Sequence, residues 1–332
     1  MNLFVSIDGN DVTGFLQNLL SDKGASALID LQVDDEAGGK SDKVTLKLVR
    51  NNQIALPPKG AQIVVMLPNA AGALMPMGTF YSDAPKTSGS KQGGHLMTLC
   101  GTAADMGGTL KEKRTQSYDS TTLKKVVETV AGRHSLEPVV SKNLASIAVP
   151  HKDQTNVSDM HFLTEWAKEL GAIFKPIEKK LLFVEKGTVK SASGASLPVL
   201  KPVATQILDY EWQGSQRTEY KAVKAAYHDQ DKATRLYAEA GSGEPVHTLC
   251  KTFASKAEAQ KAAGAALKDG IAGAETASVT IVGDASARAE GAILLPPVQP
   301  EMAGEWSIRK ASHGVRKAVG YTSKLELERV RS

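Results

Sequence analysis

The chain has 332 residues, 42% of them hydrophobic and 23% charged, a balance that suits two or three packed domains and excludes a disordered or membrane-embedded chain. Lys and Arg number 40 against 36 Asp and Glu, leaving a net charge of +4, too mild for a phosphate-tracking surface, and the 5% of aromatic residues offers little for stacking on bases. Cys100 and Cys250 are the only cysteines; two scattered thiols are expected to be buried and reduced rather than paired. No apolar run approaches a membrane span, and Met1–Asp8 lacks the basic flank and apolar stretch of a secretory signal, so synthesis in a cytoplasm is expected.

Residues 1–104 read as a first β-barrel-like domain. Ala27–Val33 and Lys43–Arg50 alternate apolar and polar residues, as half-buried strands do. Between them Asp34–Asp42 reads as a polar, glycine-containing turn, and Pro57-Pro58-Lys59-Gly60 as another. Asp11–Leu20 reads as a short helix with Phe15, Leu16, Leu19 and Leu20 on one side, and Thr87–Gly93 as an exposed loop. After a linker at 105–117, residues 118–186 change period. Ser120 or Thr121 can cap a helix whose stripe is Leu123, Val126, Val127 and Val130. Ser158 starts a second helix with Asp159 at its positive end, Phe162, Leu163, Trp166, Ala167 and Leu170 on one face, and Gly171 at the stop. Ala172–Pro176 and Leu181–Glu185 then form a hairpin, completing a small α+β domain.

Residues 187–200 are a Gly/Ser/Pro linker, and 201–332 read as a second β-barrel-like domain. Its strands are Gln206–Trp212, Tyr220–Tyr227 and Ser278–Gly283, interrupted at about 252–273 by a helix whose spacing Ser255-Lys256-Ala257-Glu258 suits a capping box. The expected fold class is therefore α+β, mainly β.

Three strands of the first domain recur in the second. Lys59–Val65, Gly78-Thr79-Phe80-Tyr81 and Gly94–Leu99 are matched by Glu290–Leu295, Gly304-Glu305-Trp306-Ser307 and Gly320–Leu325, and the spacing from Gly78 to Gly304 equals that from Gly94 to Gly320. The residues singled out are Gly60, Gly78, Phe80 and Gly94 in the first unit and Gly291, Gly304, Trp306, Gly320 and Tyr321 in the second. The glycines are expected to supply turns or close approach and the aromatics to fill the interiors. A chain carrying one β-unit twice can, as three copies, present six similar units around one axis.

The residues of common catalytic and metal sites are present without their patterns. Gly38-Gly39-Lys40-Ser41 resembles the end of a phosphate loop, but Asp34 stands where that motif needs glycine. His151, Asp153 and His161 lack a third metal ligand at matching spacing. There is no Gly-x-Ser-x-Gly, and Asp34-Asp35 in a turn reads as solvated charge rather than an acid–base pair. His313 is expected to bond across a strand pair, and Phe162 with Trp166 to be core. No catalytic residue, cofactor or metal is expected.

The whole chain resembles the phage late-control protein D family, the tail hub of P2-type contractile phages, which is related to the hubs of R-type pyocins and to the first part of type VI secretion spike proteins. The resemblance is carried by Asp34-Asp35-x-Ala37-Gly38, Pro58-x-Gly60, Gly78-x-Phe80, Cys100–Met106, Gln154-Thr155-Asn156-x-Ser158-Asp159-x-x-Phe162-Leu163, and then Gly291, Trp306, His313, Gly320-Tyr321-x-Ser323 and Leu325-Glu326-Leu327. It implies a non-enzymatic baseplate hub, a homotrimer with two barrel-like domains per chain. Such a trimer would join a six-fold tail tube to a three-fold central spike within a virion or pyocin-like particle, alongside other baseplate proteins, with nucleic acid only as passing cargo. The chain ends just after its last repeat strand, so the spike is expected to be a separate polypeptide. The alternatives are a tail-associated peptidoglycan hydrolase, tested through Asp153 or Glu165, and a carbohydrate- or peptide-binding module built on 118–186.

Overall fold

The computed structural model describes residues 2–14, 28–38, 41–49, 56–91, 94–103, 109–177, 180–185, 199–214, 220–229, 234–272, 275–316 and 319–329. The first part holds β1 (Phe4–Ile7), β2 (Asn10–Asp11), β3 (Leu28–Glu36), β4 (Lys43–Val49), β5 (Gln62–Pro68), β6 (Leu74–Ser82), β7 (Lys86–Ser90) and β8 (Gly94–Thr102). The middle holds β9 (Lys113–Thr122), α1 (Leu123–Arg133), β10 (Glu137–Val140), α2 (Lys142–Ala145), β11 (Ala148–Ser158), α3 (Asp159–Glu169), β12 (Ala172–Ile177) and β13 (Lys180–Glu185). The last part holds β14 (Ile207–Gly214), β15 (Ala222–Asp229), β16 (Thr234–Gly241), β17 (Val246–Phe253), α4 (Lys256–Ala272), β18 (Glu275–Val282), β19 (Ala292–Leu295), β20 (Gly304–Arg316) and β21 (Gly320–Arg329). The fold is α+β and mainly β, as its alternating segments require.

Thirteen strands from both ends of the chain make one sheet, in the order β14-β18-β21-β20-β3-β4-β8-β6-β5-β1-β2, with β19 beside β20 and β7 beside β8. Among the described strands this sheet does not close into a barrel; it curls over two cores. Leu31 and Val33 of β3 share one cluster with Val5 of β1, five strands away in the sheet, around Phe80. Trp306, Ile308, Val279 and Leu325 centre the other. Curling buries one face of each half, and residues of the opposite parity meet solvent.

Two further cores lie beside the sheet. In the middle segment α1 and α3 pack on the β10-β13-β12 sheet through Val127, Val130, Leu163, Trp166 and Phe183. Ser158 accepts the His161 N–H at 3.2 Å to cap α3, and Gly171 ends it at φ +61°. The strand expected over Tyr220–Tyr227 does not extend the large sheet. It forms β15 in a separate three-stranded sheet, β16-β15-β17, on which α4 lays its alanine stripe Ala259, Ala262 and Ala263. The insertion in the second β-unit is thus a small α/β layer, not a surface helix alone.

Several local expectations are corrected. The first helix is capped by Thr122, whose hydroxyl accepts the Lys125 N–H at 3.4 Å, because β9 runs through Thr121 and Thr122 in register with β11. Asp34, Asp35 and Glu36 continue β3 rather than forming a turn, since β20 pairs with them. Lys86–Ser90, read largely as loop, is a strand on β8. Both cysteines are exposed, not buried; Cys100 falls between the core residue Leu99 and the buried Gly101, on the outward parity of β8. Asp11 ends β2, and the rest of the helix expected to Leu20 lies largely outside the described residues, as do Gly39, Lys40 and most of the 187–200 linker.

Candidate functional site: a duplicated sheet with one polar face

The large sheet contains the same five-strand arrangement twice. The first is β3-β4-β8-β6-β5 and the second β14-β18-β21-β20-β19. The registers coincide. Tyr81 pairs with Thr102 and Ser82 with Gly101; at the shift that carries Gly78 to Gly304, Ser307 pairs with Glu328 and Ile308 with Leu327. Ile63 faces Phe80 and Val65 faces Gly78, as Ile293 faces Trp306 and Leu295 faces Gly304. Lys86↔Thr98 through Ser90↔Gly94 match Ser312↔Lys324 through Arg316↔Gly320, so β6 and β7 together correspond to the single long β20. The irregularity in β3 between Leu28 and Asp30 recurs in β14 between Ile207 and Asp209. A β-bulge is specified by local sequence and pairing, so its recurrence at the same place marks duplicated architecture rather than a chance likeness of strands.

The singled-out residues fall as follows. Gly78 and Gly304 take φ +125° and +109°, open to glycine and strained for other residues. Phe80 and Trp306 are fully buried, one in each core. The Trp306 indole N–H donates to the Met302 carbonyl at 2.9 Å, and the Arg329 guanidinium lies 4.1 Å from its ring centre. Gly60 takes positive φ in a turn, and Gly94 and Gly320 take it at the first residues of β8 and β21. A Cβ on Gly291 would lie 2.9 Å from the Arg288 carbonyl. Tyr321 packs against the first core although it belongs to the second unit, and its hydroxyl meets His313 Nδ1 at 3.0 Å. His313 also lies 2.9 Å from Ser323 across the β20–β21 pair and from the Ala287 carbonyl. Burial, reinforced by Arg288, pushes the His313 imidazole down to about 4, so it is neutral, with Nε2–H donating to Ala287.

The two units meet where β20 pairs with β3, from Lys310↔Glu36 to Arg316↔Asp30. On the outward parity the joint is charged. Lys310 lies 3.2 Å from Glu36, Ser312 donates to Asp34 at 2.5 Å, and Arg316 donates to Asp30 at 3.3 Å. This parity continues as Lys43, Thr45 and Lys47 on β4 and Lys324 and Glu326 on β21, a polar face spanning both units.

A buried ionic cluster locks the middle segment to this joint. Lys175 of β12 reaches Asp42 at 2.6 Å, Asp35 at 3.2 Å and the Glu36 carbonyl at 2.7 Å. Asp35 also accepts the Ala289 N–H at 3.1 Å, and Glu290 accepts that of Gly38 at 3.3 Å. Burial would raise the Asp35 carboxyl, but Lys175 and Arg288 outweigh it and hold it below the usual range. Burial and the Asp35 charge push Asp42 up to about 6. Lys175 is raised by both carboxylates against its own burial. A second cluster sits inside the middle segment, where buried Asp159 receives Arg133 at 3.1 Å, Gln154 at 2.9 Å and His134 at 2.8 Å. Sequence reading missed both clusters, although a lone Lys between Phe174 and Pro176 in an apolar strand, and Asp159 in the residues carrying the resemblance, were signals.

His151 bonds Asp119 at 2.5 Å and Asp153 at 2.9 Å on an exposed strand pair, and among the described residues no group of three or more His, Cys, Asp or Glu could hold a metal ion. What the arrangement offers is strand edges, a polar sheet face and rigid ionic locks, the chemistry of assembly.

The family model described as phage tail baseplate hub (GPD) matches residues 80–317. The chain belongs to that family. It is 28% identical to the probable baseplate hub protein of Escherichia phage 186 over 91% of this chain and 88% of that one. It is 27% identical to the corresponding protein of Escherichia phage P2 over 97% and 91%. A 43 kDa tail protein of prophage MuSo2 from Shewanella oneidensis has the same fold, with a TM-score of 0.71 at 12% identity, covering 99% of this chain and 98% of that one. No described helix is long and apolar enough to cross a membrane.

Proposed function

We propose that this baseplate hub acts as a non-enzymatic homotrimer whose six five-strand units match a six-fold tail tube on one side and a three-fold central spike on the other. The observation that carries the reading is the duplicated register, bulge included, within one continuous sheet. Two alike units per chain, copied three times, give six near-equivalent surfaces on a three-fold axis, which is what joining a hexagonal ring to a triangular needle requires. The polar face would line the passage between them, and the middle segment would sit outside it, held by Lys175. Residues 1–104 and 201–332 are proposed as the two tube domains and 118–186 as the outer module. Native mass measurement of the full chain with its spike protein tests this. Three copies of a 35.2 kDa chain, about 106 kDa of hub, are expected; a complex with one, two or four copies would overturn it.

A further inference from the structure

Two edges of the large sheet, those of β7 and β14, carry no described strand on their outer side, and each is the counterpart of an edge already paired inside the chain. β20 joins β3 over Lys310–Arg316. The counterpart of that half of β20 is β7, which has β8 on one side and, over Lys86–Gly89, no strand on the other among the described residues. The counterpart of β3 is β14, which has β18 on one side and likewise no described strand on the other. We propose that β7 of one copy pairs antiparallel with β14 of the next, in the register dictated by the internal joint: Lys86↔Gln213, Thr87↔Trp212, Ser88↔Glu211 and Gly89↔Tyr210. The occupant of each open edge is thus a second copy of this chain. This rests on the trimer reading and specifies the contact that closes the trimer.

Burial supports the assignment independently of hydrogen-bond geometry. At the internal joint Leu31 and Val33 of β3 are both 0% exposed. Their counterparts in β14 are Tyr210 and Trp212, which are 38% and 39% exposed and stand among the large exposed hydrophobic residues of the chain. Positions that one unit buries are left open in the other, as they are when a missing strand should cover them. The side chains facing them across the proposed joint are correspondingly small. Leu31 faces Val315 inside the chain, whereas Tyr210 would face Gly89. Val33 faces His313, whereas Trp212 would face Thr87. Large opposite small keeps the layer thickness while exchanging which strand supplies the bulk. β7 is exposed along its whole length and carries one lysine and three hydroxyl residues. That composition discourages indiscriminate pairing yet places Ser88 beside the Glu211 carboxylate of the right partner.

Cysteine cross-linking tests the register. In full-length chain carrying Cys100→Ser and Cys250→Ser, the double variant Ser88→Cys/Glu211→Cys is oxidised with and without the spike protein. Out-of-register pairs Ser88→Cys/Gln213→Cys and Ser88→Cys/Asp209→Cys serve as comparisons, since diagonal neighbours lie about 7–8 Å apart, beyond disulfide reach. The expected product is a covalent trimer on denaturing gels for the in-register pair, with at least tenfold less from either comparison. Mixing chains that carry Ser88→Cys alone with chains that carry Glu211→Cys alone should give covalent dimers. Trp212→Ser, which removes an exposed side chain, should leave the melting midpoint of the separated chain unchanged and weaken association at least tenfold. A trimer by native mass that fails to cross-link in register, or cross-links preferentially out of register, would sink the joint and leave the trimer reading standing. A chain that stays monomeric with the spike present would remove both.

Discussion

Lys175→Met should detach the middle segment from the sheet. Lys175 is the cation that bridges Asp35 and Asp42, at 3.2 and 2.6 Å, and its side chain is 5% exposed. Removing one partner from a buried ionic group leaves the others uncompensated and costs about 3–5 kcal/mol. For a domain-sized unfolding unit this lowers the melting midpoint by on the order of 10 °C, and the loss of the lock should split one calorimetric transition into two, the middle core separating from the sheet. Acidity should shape the effect. Folded Asp42 keeps its proton to about pH 6 while the unfolded residue releases it near 3.8. The folded chain therefore binds the extra proton across that window, and the stability it contributes, present below pH 3.8, is lost as pH rises through 6. The shift corresponds to roughly 3 kcal/mol at most. His313 acts in the opposite sense, because burial holds its folded value at about 4, so its contribution is lost as pH falls from about 6.5 toward 4. Asp35, held low, contributes above its ordinary value and loses that contribution only in stronger acid. The clean readout is the difference between the parent chain and Asp42→Asn in calorimetry from pH 4 to 7. The parent should lose stability relative to Asp42→Asn as pH rises, and Lys175→Met should be milder at pH 5 than at pH 8. A single transition with an unchanged midpoint in Lys175→Met would refute the lock.

Trp306→Ala should unfold the second unit selectively. It empties a fully buried site and orphans the Met302 carbonyl that the indole N–H reaches at 2.9 Å, costing about 3–5 kcal/mol; urea titration checks the stability, and tails that assemble and function normally would contradict the role. Gly283→Ala should be far worse than Gly94→Ala. A Cβ on Gly283 would lie 2.1 Å from the Tyr321 ring, whereas one on Gly94 would meet nothing within 4 Å. Gly94→Ala thus costs only left-handed strain of about 1 kcal/mol, while Gly283→Ala overpacks the joint by about 3 kcal/mol or more. Melting midpoints of the two variants in the same buffer decide it.

Much of the arrangement was legible because alternation and punctuation are local. Gly78-x-Phe80 and Gly304-x-Trp306 announced their strands, the spacing to Gly94 and Gly320 announced the repeat, and Ser158 with Gly171 bounded α3 as read. What alternation does not encode is the neighbour. Nothing near Asp34-Asp35-Glu36 indicates that Lys310, far along the chain, pairs with Glu36, so an acidic strand end reads as a turn. The strand at Tyr220 has the composition of a sheet member but not the address of its sheet. Gly283 was passed over because its importance lies in a ring arriving from Tyr321. Cys100 was misplaced because thiols are commonly buried, although the parity of Leu99 already assigned it outward.

The internal joint and the proposed external one also explain why two alike units belong on one chain instead of six copies of one. Identical units would pair at six identical joints, and nothing would distinguish alternate positions for a three-fold needle. Here the joints differ in kind. One is sealed by Val315 against Leu31 and by ion pairs through Lys310 and Arg316. The other would place Tyr210 on Gly89 and Trp212 on Thr87. Swapping partners puts Tyr210 against Val315 and leaves Leu31 facing Gly89, overpacking one layer and hollowing the next. Each mismatch costs on the order of 1–3 kcal/mol, and the three chains of the proposed trimer would incur it repeatedly, so they would close only in strict alternation. A ring of six units closed by alternating joints has three-fold symmetry whatever the likeness of its units, which is the property the proposed connector between six-fold and three-fold neighbours must have.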